Sequence, residues 1–265
     1  MANFGLRPIE APNEAPRRGG PNMTDQNQVD EDTPDSHEFV CALVFTHDKF
    51  REAHYFVGRM LSEYHHPEPF RWNLNAFLQA LRSVTFMLQK ELANVEEFKT
   101  WYEKQRTVMR DDPILRVFDA GRVIVVHRGM LNASSTVEAG VFRGRRTLKL
   151  GVKSEISPGL RSEDILKDTQ EKMIGFLLDE EHSSIDEQIG VRRAWIIAEL
   201  GDQEVIGLCD IAWSRIGKVV SAAHKFVSAT SNFPPEDAHE SGLGDASVLL
   251  ESDIDPDLPR KWGWL

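Results

Sequence analysis

Residues 112–127, DPILRVFDAGRVIVVH, decide the fold, because they carry a helix start followed by a run that also suits a strand. Asp112 offers a capping carboxylate and Pro113 stands where a helix tolerates proline best, so Ile114, Leu115 and Phe118 open a helix. The four β-branched residues Val123 to Val126 pull the other way, since such a run marks a buried strand. The periodicity upstream bears on the choice. Phe39, Leu43, Phe50, Ala53, Val57, Met60 and Tyr64 recur at helical intervals until His65-His66-Pro67-Glu68-Pro69 stops the turn. Leu74, Phe77, Leu81, Val84, Leu88 and Leu92 mark a second helix. A capping-box pair, Asn94 and Glu97, precedes a third, shorter one running to Met109. Four helices joined by short links predict an up-and-down bundle over residues 37–130.

Downstream the period changes. Val137, Ala139 and Val141 alternate before the Gly144 turn, and Leu148, Leu150 and Val152 after it, which predicts a β-hairpin over 135–155. Ser162 caps a further helix through Leu177, Val191–Leu200 is ambiguous between helix and strand, and Val205 to Val227 is the cleanest helix in the chain. The expected architecture is therefore mainly α: a four-helix bundle with a small hairpin insertion and additional C-terminal helices over 162–230.

The chain has 265 residues with 42 acidic and 31 basic side chains. Its net charge of -11 would repel nucleic acid if it were spread evenly, but it is concentrated at the ends. Residues 1–36 hold seven acids and three bases, and residues 235–265 hold eight acids and two bases. Both segments are expected to be flexible acidic tails, being too poor in apolar side chains to offset ordering entropy. The C-terminal tail is taken from residue 231. Between Arg122 and Lys153, by contrast, seven cations face one acid, Glu138, so a polyanion could be met there. No apolar run is long enough to span a bilayer, the start lacks the apolar stretch of a secretory signal, and a cytoplasmic location with no membrane partner is expected. Cys41 and Cys209 are too few for a disulfide framework.

Chemistry is sought in Arg122-Val123-Ile124-Val125-Val126-His127. Histidine can move the proton of a ribose 2′-hydroxyl, and arginine can hold the charge that builds on the phosphoryl oxygens, so the pair suffices for metal-independent RNA scission. In a continuous helix, five residues turn the chain by about 140° and advance it by about 7.5 Å, so a single copy makes a poor site and two copies across a dimer a better one.

This Arg-x4-His spacing, behind a bundle of amphipathic helices, resembles the HEPN superfamily over roughly residues 37–130. The resemblance implies a homodimeric endoribonuclease of a defence or toxin–antitoxin system, with Arg122 and His127 as the catalytic pair and no cofactor or metal. It departs from the family at Val123, where a polar residue is common. Many HEPN domains are non-catalytic modules that dimerise or bind protein, nucleotide or RNA, and an antitoxin or other protein partner is a further expectation. Arg128, Arg143, Arg145, Arg146, Lys149 and Lys153 are the candidate RNA-binding residues, holding phosphates with release of counterions. His54, His65 and His66 lack metal-ligand spacing. Trp72, Trp101, Trp195 and Trp213 are expected in the core.

Overall fold

The computed structural model describes residues 41–144, 146–178, 187–231 and 249–251. The 1–36 tail and Arg145 fall outside them, as does most of 231–265. Six helices and a four-stranded sheet are found among the described residues. The helices are α1 (Val44–Ser62), α2 (Pro67–Glu91), α3 (Phe98–Asp111), α4 (Pro113–His127), α5 (Ser162–Leu178) and α6 (Val205–Ser231). The strands are β1 (Ala133–Arg143), β2 (Thr147–Ile156), β3 (Glu187–Ile197) and β4 (Leu249–Glu251).

The four-helix, mainly α expectation is corrected to a mixed α/β fold. The hairpin is not an insertion but half of an antiparallel sheet ordered β2-β1-β3-β4, in which β1 pairs along its whole length with β3 and from Ser135 onward with β2. The stretch that was ambiguous between helix and strand is strand through Ile197, and three residues of the segment expected to be a flexible tail form β4 on β3. Nor are the bundle's helices the first four in the chain. The main core joins α1, α2, α4 and α6, while α3 packs through Phe98 and Tyr102 beside Leu88, Leu92, Val219 and Val227.

Helix α4 resolves the deciding stretch. Asp112 accepts hydrogen bonds from the Ile114 and Leu115 amides at 2.9 and 3.0 Å, satisfying two of the donors that a helix start leaves open. The β-branched run remains helical through His127, because Ile124 and Val125 pack against the main core and tertiary burial outweighs their local strand preference. Pro67, which stops α1 in the sequence reading, also begins α2, where its missing N–H costs nothing.

The sheet is tied to the helices at one end of β3. Trp195 stacks on Phe70 with ring centroids 4.8 Å apart and donates from Nε1 to the Tyr64 carbonyl at 2.8 Å. Beside it Arg193 is 2% exposed, with its guanidinium 3.8 Å from the Trp195 ring. It donates to Ser135 Oγ and to the carbonyls of Pro158 and Leu160, which anchor the β2–α5 connection. Burial lowers its pKa to about 10, so it stays charged at neutral pH. At mid-sheet, Gly140 faces Gly151 on one side and Gly190 on the other. A Cβ on Gly140, whose φ is +154°, would lie 2.0 Å from the Leu150 carbonyl oxygen. Only glycine permits that approach. Of the four tryptophans expected inside, Trp195 and Trp213 are buried, but Trp72 is 57% exposed, because its position on α2 turns away from the core.

Candidate functional site

Three helices contribute arginines to one groove. Arg106 and Arg110 lie four residues apart on α3, while Arg116, Asp119 and Arg122 recur at three-residue intervals on α4. Arg82 reaches the same place from α2. The groove has a volume of about 500 Å³, comparable with small-ligand sites. Its floor is apolar, formed by Leu78, Leu81, Met109, Leu115 and Phe118, with Ile216 closing it from α6.

The charge in this groove is only partly compensated. Arg106 pairs with Glu103 at 2.8 Å and Arg110 approaches Asp111 at 3.4 Å, both at exposed positions where water screens the pair. Arg82 donates to Thr85 Oγ1 at 2.5 Å and lies 3.7 Å from Asp119. No ion pair engages Arg116 or Arg122 among the described residues, and the buried Nε of Arg122 has no hydrogen-bond partner. A buried guanidinium donor left in this state favours an anionic acceptor. Burial raises the Tyr102 hydroxyl's pKa, against weaker lowering by Thr85 and Arg82, so it stays a neutral phenol beside these cations. Asp112 fixes the start of α4, the helix that carries Arg116 and Arg122. Burial pushes the Asp112 carboxyl up, but the Leu115 amide, Arg215 of α6 and the Ile114 amide outweigh it and hold the carboxyl below its usual range.

The sequence-derived residues fall in three places. Arg122 lines the groove, whereas His127 and Arg128 sit exposed at the far end of α4. Because α4 is continuous from Pro113 to His127, the two members of the pair point about 140° apart within one protomer. The hairpin cations lie elsewhere and are partly compensated by shared carboxylates. Arg143 and Lys149 both bond the Glu187 carboxylate of β3, at 2.9 and 2.6 Å, and Lys153 pairs with Glu138 at 3.0 Å. Lys149 and then Arg143 hold the Glu187 pKa down to about 2. Arg146 is exposed, and its carbonyl accepts from Arg192. Of the histidines singled out in the sequence, His54 tilts on Trp213, and His66 bonds Glu63 and Glu163.

Sequence reasoning missed Arg82, Arg106, Arg110 and Arg116, because no window of the sequence brings them together. The Arg106/Arg110 spacing was the available signal.

Residues 35–243 match the family model for bacteriophage lambda protein ea47, which is well over half of the chain. The chain belongs to that family. Protein ea47 of Escherichia phage lambda is 24% identical over 173 residues, an alignment covering 63% of this chain and 40% of the phage protein. This chain thus spans less than half the length of that ea47 relative. The HEPN resemblance is corrected by this membership: an Arg-x4-His pair after amphipathic helices is a short pattern, and here it lies on an ea47-family chain. No solved structure matches the chain.

Proposed function

We propose that this ea47-family chain binds single-stranded RNA, seating one nucleotide in the arginine-rimmed groove between α2, α3 and α4. The observation that carries this reading is the buried, unbonded Nε of Arg122 beside Arg116, above an apolar floor. Phosphate suits the planar fork of arginine, and the flat apolar face of a base can rest on the partly exposed side chains of Met109 and Leu115. The groove's size suits a single nucleotide rather than a duplex.

Fluorescence anisotropy with a labelled single-stranded RNA tests the reading. Affinity falls as salt rises, and replacing both Arg116 and Arg122 with Ala weakens binding at least tenfold. Equal binding by wild type and double variant overturns it. A single-stranded DNA of the same sequence tells whether the ribose hydroxyl contributes.

Scission of the bound strand is a second reading, favoured by the exposed imidazole of His127 at the end of the helix that carries Arg122. It requires a second protomer to complete the pair. Incubation with RNA in EDTA tests it: cleavage by wild type and none by His127→Ala, with the dimer intact, supports scission. An inactive wild type leaves binding alone.

A further inference from the structure

Outside the groove, the chain brings together three side chains that do not line it. Cys41 lies just before α1, His47 sits in the first turn of α1, and His224 lies near the end of α6. Each offers one ligand atom, and the three atoms lie within 4.8 Å of one another. The two imidazoles meet edge to face rather than stacked, with ring centroids 4.8 Å apart and planes at 63°. Their Nε2 atoms are 2.6 Å apart, and Cys41 Sγ is 4.0 Å from the other His224 ring nitrogen, Nδ1, so one ion would take one of the two His224 nitrogens. Both histidines are more than nine-tenths buried, beside an apolar cluster that includes Leu43, Val219 and Ala223.

We propose that Cys41, His47 and His224 hold a divalent cation of the zinc class, clamping the start of α1 to α6. One thiolate and two imidazoles form the borderline-soft donor set that zinc prefers over oxygen-seeking cations. Tetrahedral bonds of about 2.0–2.1 Å to nitrogen and 2.3 Å to sulfur separate ligand atoms by about 3.3–3.6 Å. The observed separations, from 2.6 to 4.8 Å, bracket that spacing. Seating the ion therefore draws the sulfur inward and moves the two imidazole nitrogens apart.

One detail of the surroundings fits a metal-bound thiolate. The Leu43 amide points at Cys41 Sγ from 3.4 Å, which supports negative charge on sulfur. Cys41 is itself half-buried, whereas Cys209 is fully buried in the main core, away from any histidine of the cluster. Because binding requires a deprotonated thiol and neutral imidazoles, loading releases a proton from Cys41 and weakens at acid pH.

The test uses the full chain without a histidine tag, stripped with chelator and reloaded with Zn²⁺ or Co²⁺. After desalting, about one equivalent of Zn²⁺ is expected to remain, and the Co²⁺ form should show a near-ultraviolet thiolate-to-metal charge-transfer band. Cys41→Ser should abolish that band and weaken Zn²⁺ binding by about tenfold or more, with circular dichroism unchanged. Cys209→Ser should leave both readouts intact. Loading should also raise the thermal midpoint of the wild type. A wild-type chain that retains no Zn²⁺, or a band that survives Cys41→Ser and disappears in Cys209→Ser, overturns the proposal.

Discussion

The helical groove and the β-hairpin both carry clusters of cations, yet they differ in how that charge is arranged. On the hairpin the cations are dense in sequence, but Glu187, brought in by β3, takes Arg143 and Lys149 together, and Glu138 takes Lys153. In the groove, arginines scattered between residues 82 and 122 converge on one apolar floor, and Arg116 and Arg122 have no carboxylate partner among the described residues. Charge read along the chain measures density. Binding depends on what remains uncompensated after the strands have paired.

The largest expected effect lies in the groove. Each charge-assisted hydrogen bond to phosphate is worth about 1.5–3 kcal/mol, so Arg116→Ala combined with Arg122→Ala, which removes two of them, should weaken RNA binding by about 100-fold or more. The salt dependence should flatten as well, by about 0.7 in the log–log slope for each phosphate that the variant no longer neutralises. A titration series over salt concentration reads both.

Glu187→Gln sharpens the comparison from the other side. Removing the shared carboxylate frees Arg143 and Lys149, and RNA affinity should rise by about two- to fivefold as the hairpin becomes an accessible cationic surface. Unchanged affinity would mean that the strand does not pass near the hairpin.

The same carboxylate makes the hairpin pairing pH-sensitive. Its folded pKa of about 2 lies below the ordinary 4.5, so its contribution to stability is present above pH 4.5 and is lost as the pH falls toward 2. Urea midpoints at a series of pH values should therefore drop across that window in wild type, and drop less in Glu187→Gln. The smallest effect is reserved for the paired cations: Arg143→Ala with Lys149→Ala should change RNA affinity by no more than about twofold, since both are engaged by Glu187 and neither lines the groove.

How far these regions were legible depends on whether a local pattern or a distant partner decides them. The start of α4 was readable because Asp112 and Pro113 act on their own neighbours. Strand β3 was not, although Ile189, Val191, Trp195 and Ile197 alternate on one face, because Arg193 stands in the middle of that face. A charge there argues against a buried strand unless the Ser135 hydroxyl and the Pro158 and Leu160 carbonyls are known to receive it. Arg122 was singled out for its spacing from His127, and it lies in the groove with neighbours that this spacing does not indicate. His47 and His224 are separated by 177 residues, so nothing in the sequence could have paired them.

Photo-cross-linking tests the central claim most directly. A 4-thiouridine-bearing single-stranded RNA, irradiated with the wild-type chain and mapped by mass spectrometry, should attach to peptides of α3 and α4 between Phe98 and Arg122. Cross-links confined to β1 and β2, between Ala133 and Ile156, would contradict it.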